Sequence, residues 1–293
     1  MQRKKREEIS ASIKAQRDEH SRVLSTLQVG ASVRVQDPVT RKWKSVAKIH
    51  EVRANGRSYV IQENGRQYTF PEVDVVFHLA AVARIRPSFQ DPMGYFKTNA
   101  WGTLNLVDWC AQNEVPLIYA ASSSKFHGKF KNPYTFSKEI GQEVIHLYSK
   151  HFGLKFSTAV FFNVYGPKQL LTGGYTTLIG NWLNCLQTDQ ECIIYGDGEQ
   201  RRDFTHIDDV VDGLVAILEQ GAYGYEFNFG SGQNYSVNEV AAMFGISPRY
   251  EPALPGEARN TLNEDKTAAN VLGWLPRRNL PNYIQTNCIK CCL

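Results

Sequence analysis

The sequence predicts an α/β protein with an incomplete doubly wound parallel sheet, a smaller C-terminal subdomain, and a small antiparallel β module in front. Two observations predict this fold class. From Pro71 onward, apolar runs of strand length alternate with segments of helical length, which is typical of parallel strands buried on both faces. Before Pro71, short alternating runs are separated by Asn-Gly pairs, which favour antiparallel hairpins.

Charge is distributed unevenly along the 293 residues. Residues 1–70 carry 15 Lys/Arg and 7 Asp/Glu (+8), residues 71–293 carry 18 and 22 (−4), and the sum is the net charge of +4. The composition, with 42% hydrophobic and 21% charged residues, excludes a disordered or fibrous chain. The split indicates a basic front segment joined to an acidic body, and a basic segment suits a polyanionic partner.

The sequence also bears on the compartment of the protein. The longest apolar run, Val75–Ala83, is too short to span a bilayer and contains His78. The basic N-terminal residues are not followed by an apolar stretch, so we predict no secretory signal. The six cysteines contain one Cys-x-x-Cys spacing, Cys288 with Cys291, but no second such unit and no nearby histidines in metal-ligand spacing, which favours reduced thiols and no metal site. We therefore expect a cytoplasmic protein that does not interact with membranes.

The basic front segment divides into two parts. Residues 1–27 are expected to form a helical or disordered arm. Residues 28–70 contain the alternating runs and the two Asn-Gly turns, and they are expected to form a small β-barrel-like module. At about 40 residues, such a module lies near the lower limit for independent stability.

The β module resembles a known family. Its sequences Val33–Pro38, Lys42-Trp43 and Val52–Val60 are similar to the C-terminal β-barrel tail of LTR-retrotransposon polyproteins, and the resemblance covers about residues 28–69. This resemblance implies weak nucleic-acid binding, because clustered Lys and Arg with aromatic side chains suit phosphate contact. An alternative of equal weight is a solvated basic face that binds nothing.

From Pro71 the elements alternate in type. Strands are expected at Val73–Ala80, Pro116–Ala120 and Ser157–Phe162, and helices at about Pro92–Asn113 and Pro133–His151. Such alternation implies crossover connections and helices on both faces of the sheet.

One spacing in this part points to chemistry. Tyr134 and Lys138 are four residues apart at the head of a predicted helix, so both side chains lie on one face. A nearby cation and a helix N-terminus stabilise an ionised phenol, which lets Tyr134 act as a general base near neutral pH. Ser122-Ser123-Ser124, at the end of the preceding strand, can hold a substrate oxygen. By itself this spacing usually marks a surface pair, and its context strengthens the functional interpretation.

From about residue 71 to 287 the chain resembles the extended short-chain dehydrogenase/reductase family, in particular its NAD-dependent nucleotide-sugar epimerases and dehydratases. The motifs that carry the resemblance occur in the order of the family. They are His78–Ala81, Asn99–Thr103, Tyr119–Ser124, Tyr134 with Lys138, Asn163–Pro167, Ile194–Gly198, Arg202–Asp209, Asn228–Gly232 and Leu272–Trp274.

The resemblance implies a role for each matching residue. Ser123 would be the catalytic hydroxyl residue, Tyr134 the acid/base, and Lys138 the residue that binds the nicotinamide ribose. The cofactor would be NAD. The resemblance places the remaining cofactor contacts on Leu79, Ala80, Ala81 and Asn99, and the substrate contacts on Ser123, Asn163, Tyr195, Arg202 and Arg259. A guanidinium suits the phosphate oxygens of a nucleotide sugar.

The resemblance further implies a redox cycle through a keto sugar. Dehydratases of the family carry an Asp-Glu pair directly after the hydroxyl residue, where this chain has Ser124 and Lys125. These two side chains cannot supply the acid/base pair that elimination requires, so an epimerase similar to UDP-glucose 4-epimerase is favoured. The resemblance also places His127 in the wall of the substrate pocket. His206 is expected to be a helix-start and packing group, because a lone histidine beside an apolar strand is usually a satisfied core residue.

A cofactor feature of the family is not found in the sequence. NAD-binding folds place a glycine-rich turn between a first strand and a helix, where the turn holds the pyrophosphate. The Gly-x-Gly pairs at Gly196/Gly198 and Gly230/Gly232 lie downstream of the Tyr134 helix and lack a third glycine. The basic segment stands where the first strands of the family would lie.

Several functional hypotheses therefore stay open. The first is an NAD-dependent nucleotide-sugar epimerase, and the second is a dehydratase or decarboxylase of the same family. The third is a catalytically inactive fusion whose N-terminal module binds nucleic acid. In the first two, the cofactor part covers about residues 71–165 and 199–224, and the substrate part covers about 166–198 and 225–287. A homodimer is expected by analogy with the family.

Overall fold

The computed structural model describes residues 32–36, 43–52, 59–63, 66–69, 73–253, 256 and 258–291. The chain divides into two compact units, residues 1–74 and residues 75–293, which are described separately. In the described residues, no helix is long and apolar enough to cross a membrane.

The first unit contains a four-stranded antiparallel sheet. Its strands are β1 (Ser32–Gln36), β2 (Trp43–Val52), β3 (Tyr59–Glu63) and β4 (Arg66–Thr69). Each strand pairs with the next one in sequence. The predicted antiparallel module is therefore confirmed. The predicted arm at residues 1–27 and both Asn-Gly turns lie outside the described residues.

The second unit mixes strands and helices. Its strands are β5 (Val76–His78), β6 (Leu117–Ser122), β7 (Phe156–Phe161), β8 (Asn163–Tyr165), β9 (Ile193–Tyr195), β10 (Arg201–His206), β11 (Glu226–Phe229), β12 (Asn234–Ser236) and β13 (Arg249–Glu251). Its helices are α1 (Ile85–Gln90), α2 (Pro92–Tyr95), α3 (Gly102–Gln112), α4 (Pro133–Phe152), α5 (Leu178–Gln187), α6 (Ile207–Gln220), α7 (Val237–Phe244), α8 (Thr267–Leu272) and α9 (Leu280–Cys291).

The central sheet of this unit is parallel, with strand order β11-β7-β6-β5. Residues Leu117 to Ala121 of β6 are buried, as expected for a strand that is covered on both faces. Helices α3 and α4 cover one face, with Val107 and Ile145 in the core, and helices α6 and α8 cover the other, with Ile217 and Leu272. The predicted α/β class with a parallel sheet is confirmed.

A separate core lies beneath α5, α7 and α9. Its buried members include Trp182, Ile194, Phe244 and Ile284. Strand β10 pairs in parallel with β8 and antiparallel with β12, while β9 pairs with β13. This second core corresponds to the smaller subdomain of the predicted fold class. The residue bounds of the cofactor and substrate parts stay a prediction.

Helix α4 shows why local sequence predicts elements well. Asn132 caps its start by accepting a hydrogen bond from the Thr135 amide, and Pro133 occupies the first turn, where no amide donor is needed. Gly153 ends the helix in the left-handed conformation, at φ 72°. A Cβ on Gly141 would lie 2.7 Å from the Tyr119 hydroxyl, so glycine lets α4 pack closely on β6.

Two predicted elements differ from the structure. The predicted strand Val73–Ala80 is regular only over Val76–His78, and the predicted helix Pro92–Asn113 contains a π-helical turn at Phe96–Trp101. A side chain of this π-helical turn holds the loop that follows β5. The Asn99 amide, on the π-helical turn, binds the backbone N–H and C=O of Val82 at 2.8 and 2.9 Å. It therefore satisfies the backbone groups of Val82 in the loop after β5, at the edge of the sheet.

Candidate active site

The candidate site lies where β6 ends and α4 begins. Tyr134 stands in the first turn of α4, and its phenol is hydrogen-bonded by the side chain of Ser122, the last residue of β6. The ring of Tyr95 meets the Tyr134 ring edge to face, with 6.2 Å between centroids. Burial raises the pKa of Tyr134, while the Ser122 hydrogen bond and the charge of Arg84 act in the opposite direction. The phenol is therefore protonated at neutral pH, with groups in place that favour its ionised form.

Lys138 lies one helical turn beyond Tyr134 and is 5% exposed. Its Nζ stands 4.1 Å from the centroid of the Tyr119 ring, and the Tyr119 hydroxyl donates to the Lys138 carbonyl at 3.0 Å. Burial lowers the pKa of Lys138 to about 7. Near neutral pH the amine is therefore able to exist in either protonation state.

The lowered pKa of Lys138 predicts a pH dependence of stability. Between pH 7 and about 10.5 the unfolded chain binds this proton and the folded chain does not, so stability rises with pH. We expect the difference in unfolding free energy between wild type and Lys138→Met to shift in favour of wild type by up to about 1.4 kcal/mol per pH unit above pH 7. Urea unfolding of both proteins at pH 6.5, 8 and 9.5 measures this difference in unfolding free energy. If this difference stayed constant with pH, the lowered pKa of Lys138 would be contradicted.

Two neighbouring serines have different positions. Ser123, the predicted hydroxyl residue, begins the short 3₁₀ helix Ser123–His127 and lines a cleft of about 190 Å³. Ser122 instead contacts the Tyr134 phenol, which sequence reasoning missed although it singled out the serine triplet. Both hydroxyls lie at the end of β6, so their positions alone do not single out Ser123. The catalytic role of Ser123 stays a prediction.

The cleft beside Ser123 has walls from distant parts of the chain. It is lined by Phe126, His127 and Phe162 and by residues Asn260, Thr261, Leu262 and Glu264. Residues 260–264 carry no motif, so sequence reasoning could not place them here. His127 lies in the wall as predicted, and within the described residues its buried Nε2 has no hydrogen-bond partner. Burial, together with the charge of Arg202, lowers the pKa of His127, so the ring is neutral at pH 7.

The predicted cofactor contacts lie on the loop after β5. Leu79 is 51% exposed, and Ala80 and Ala81 are also exposed, which leaves an apolar surface at the carboxyl edge of the parallel sheet. Asn99 is fully buried, and besides Val82 its amide donates to the Ser137 hydroxyl at 3.0 Å. Its contacts suit a residue that positions the loop, and the direct contact with cofactor predicted for Asn99 stays a prediction.

The predicted substrate residues are spread over the smaller subdomain. Asn163 donates to the Asp203 carbonyl at 3.0 Å, and Arg202 donates to the Arg201 carbonyl at 2.9 Å. The Tyr195 ring lies 4.7 Å beneath the guanidinium of Arg86. Their contacts with a nucleotide sugar stay a prediction.

Arg259, the last predicted substrate residue, forms a bidentate ion pair. Its guanidinium nitrogens lie 2.7 and 2.8 Å from the two carboxylate oxygens of Asp197, and both side chains are exposed. This pair holds the pKa of Asp197 at about 2. A phosphate contact by Arg259 would require exchange of this partner.

Asp203, next to Arg202, organises the same region. Its side chain is fully buried and accepts hydrogen bonds from the Ser231 amide and hydroxyl and from the amides of Gly232 and Asn263, at 2.6–3.0 Å. One carboxylate therefore joins β10 to the loop after β11 and to the segment that lines the cleft. Sequence reasoning found the motif around Asp203 but not this network.

Lys125 occupies the place of a dehydratase carboxylate. Its Nζ forms an ion pair with Glu226 of β11 at 2.6 Å and donates to Gln142 of α4 at 3.2 Å. Gln142 also donates to Glu226 at 2.6 Å. Lys125 is thus held against the edge of the sheet and carries no acid/base function toward the cleft.

The residues present fit the nicotinamide half of a dinucleotide. Ribose hydroxyls need donors and acceptors, which Tyr134 and Lys138 supply, and the exposed apolar loop after β5 offers a surface for an aromatic ring. The Gly196/Gly198 pair lies between β9 and β10, and Gly230/Gly232 between β11 and β12, so neither opens a helix.

Comparison with known proteins agrees with this geometry. Residues 47–230 match the profile of the NAD dependent epimerase/dehydratase family. The chain belongs to this family. The match begins within β2, ahead of residue 71, where the sequence motifs place the start of the resemblance. NAD is the cofactor of the family, and its fold agrees with the parallel sheet described above.

Individual relatives carry related activities. An uncharacterised UDP-glucose epimerase of Bacillus subtilis is 30% identical over 228 residues, which cover 71% of each chain. The UDP-glucose 4-epimerase of Thermotoga maritima, solved with UDP-glucose, is 27% identical, with a TM-score of 0.68 over 74% of this chain and 76% of that one. The UDP-glucuronic acid 4-epimerase of Bacillus cereus, solved with UDP-glucuronic acid and NAD, is 27% identical, with a TM-score of 0.67 over 75% of both chains.

Proposed function

We propose that this protein is an NAD-dependent nucleotide-sugar 4-epimerase that works through a keto-sugar intermediate. The observation that carries the proposal is the half-buried Tyr134, whose phenol is favoured in its ionised form by the Ser122 side chain and the charge of Arg84, with Lys138 one helical turn away. Membership of the family and the names of its relatives support the reaction class.

In the proposed mechanism, Tyr134 removes the proton from the C4 hydroxyl of the sugar and later returns it. Ser122 and Ser123 hold the sugar oxygen at the end of β6, which keeps it in line with the phenol. Lys138 binds the nicotinamide ribose, and its positive charge stabilises the phenolate. Tyr134 and Lys138 would hold the nicotinamide ribose of NAD⁺, which would supply the acceptor for the C4 hydride and the donor for its return to the other face of the ring.

The surroundings of Lys125 support epimerisation over dehydration. Elimination of water needs a carboxylate pair beside the sugar, whereas Lys125 is tied to Glu226 and Ser124 has no acidic group. Decarboxylation remains the second candidate within the family, since relatives include a UDP-glucuronic acid decarboxylase of Xenopus tropicalis. Product analysis distinguishes the two reactions because only decarboxylation releases CO₂.

The proposal is tested by incubating the purified chain and NAD⁺ with UDP-glucose and with UDP-glucuronate. Proton NMR of the anomeric region reports a 4-epimer, and denaturation of the protein shows whether dinucleotide is released. We expect a C4-epimeric product and an unfolding temperature that rises with NAD⁺. A protein that neither releases dinucleotide nor is stabilised by NAD⁺ would overturn the proposal.

We also propose that residues 28–70 bind nucleic acid weakly. The antiparallel sheet supports this proposal, because its strands carry basic residues such as Arg34 on β1, Lys44 and Lys48 on β2, and Arg66 on β4. Affinity for a DNA duplex is expected to fall linearly with the logarithm of salt concentration. Binding that is absent at 50 mM salt, or insensitive to salt, would contradict the proposal. Formation of a homodimer likewise stays a proposal, which light scattering tests.

A further inference from the structure

Arg84 has an unusual backbone conformation. It lies in the loop between β5 and α1 with φ 86° and ψ 134°, a region that favours glycine. Such a conformation in a residue with a side chain destabilises the fold and persists where the surroundings or the function require it. An arginine at this position therefore indicates a role for its side chain that a glycine could not fill.

The surroundings of the guanidinium leave most of its donors unused. Arg84 Nη2 donates to the Tyr175 carbonyl at 2.7 Å, and the side chain is half-buried near Tyr134 and Tyr95. The Tyr95 hydroxyl donates to the carbonyl of Ala83, which fixes the loop. Across the described part of the chain, no carboxylate forms an ion pair with Arg84. A guanidinium has five N–H donors, so its geometry offers a fork to an incoming anion.

The position of Arg84 beside the phenol indicates which anion of a nucleotide sugar it meets. In the proposed reaction Tyr134 contacts the C4 hydroxyl. The diphosphate is attached at C1, across the ring, whereas the substituent on C5 is adjacent to C4. In a hexuronate this substituent is a carboxylate, and in a neutral hexose it is a hydroxymethyl group.

We propose that Arg84 binds the C5 carboxylate of a nucleotide hexuronate, and that it thereby selects hexuronates over neutral hexoses. This inference rests on the proposed function and names its substrate class. A planar carboxylate accepts two hydrogen bonds from a guanidinium, while a hydroxymethyl group leaves the charge unpaired. Discrimination against the neutral sugar follows from that unpaired charge.

The experiment measures kcat and KM for UDP-glucuronate and UDP-glucose with wild type, Arg84→Ala and Arg84→Gly. Arg249→Gln is the control, because Arg249 is an exposed arginine paired with Glu191 and Glu251. Loss of the positive charge near Tyr134 affects both substrates, so the diagnostic quantity is the ratio of their kcat/KM values. We expect wild type and the control to prefer UDP-glucuronate, and both Arg84 variants to lower that ratio about 10- to 100-fold, mainly through KM.

The Arg84→Gly variant adds a second readout, the melting temperature, which is expected to rise while substrate selectivity falls. Glycine adopts the φ of this position without strain, whereas alanine does not. We expect Arg84→Gly to raise the melting temperature by about 2–4 °C while it loses selectivity, and Arg84→Ala to lose selectivity without that gain. A residue with a merely structural role would not give this combination.

Three results would overturn the inference. Equal losses on both substrates would show that Arg84 acts only on Tyr134, and a wild type without preference for UDP-glucuronate would remove the basis for selection. Weaker binding of NAD⁺ by Arg84→Ala, with the substrate ratio unchanged, would assign the guanidinium to the cofactor. A wild type that converts neither sugar nucleotide would overturn the proposed function and this inference with it.

Discussion

Replacing Tyr134 with phenylalanine is expected to lower kcat for epimerisation by about 100- to 10,000-fold, the contribution typical of a positioned general acid/base. The phenyl ring keeps its contact with Tyr95, and only the hydroxyl that Ser122 contacts is removed. Substrate affinity should therefore change little, because the sugar nucleotide is held mainly by other groups. Steady-state kinetics and calorimetric titration with UDP-glucuronate measure the two effects separately.

Tyr148→Phe is the matched control for this variant. Tyr148 lies on the same helix, α4, and its hydroxyl donates to Asp108 at 3.2 Å, away from the site. Its loss should leave kcat close to wild type. If Tyr134→Phe kept wild-type turnover, the proton would have to be carried by another group, and the assignment of Tyr134 would be wrong.

The largest effect on stability is expected for Asp203→Asn. The amide is nearly the same size as the carboxylate, but its NH₂ group would face backbone donors, since the amides of Gly232 and Asn263 both bind Oδ2. Unpaired donors in a fully buried position cost free energy, and the exchange also removes two charge-assisted hydrogen bonds. We expect the unfolding free energy to fall by about 3 kcal/mol or more, as measured by urea denaturation.

Asp212→Asn is the control, because Asp212 is an exposed acid that interacts only with Arg278 among the described residues, at 3.6 Å. Exposed ion pairs contribute little, so its change should stay below about 1 kcal/mol. Similar losses for the two variants would show that the Asp203 network is not a centre of stability. A large loss for Asp203→Asn alone would also predict a disordered cleft segment around Asn263, which limited proteolysis detects.

Elements with local signals could be predicted from the sequence. Helix α4 begins at Pro133 as expected, because its cap and first-turn proline are adjacent in sequence. The buried apolar run of β6 likewise identified a strand near its observed bounds, Leu117–Ser122. The strand β5 was predicted too long, since it is regular only over Val76–His78, and the loop after it is held by the amide of Asn99, 17 residues away from Val82. Periodicity carries no information about such a contact.

In the candidate site too, features set by local sequence could be predicted, whereas contacts between distant residues could not. Tyr134 and Lys138 are one turn apart, so their proximity follows from the helix alone. The pairing of Arg259 with Asp197 joins positions 62 residues apart, and no pattern in the sequence indicates it. The conformation of Arg84 was also missed, since a positive φ is expected for glycine and not for arginine. Contacts between distant segments therefore required the structure.

The ion pair between Lys125 and Glu226 has a consequence for how this chain could evolve. Dehydratase chemistry requires an acidic side chain where Lys125 stands, but a glutamate there would face the carboxylate of Glu226 and lose its link to Gln142. Two like charges at this distance disfavour the folded state. Replacing Lys125 alone therefore leads through a less stable protein, and Glu226 has to change with it, in addition to the acid that is missing at Ser124, before selection can favour a new reaction.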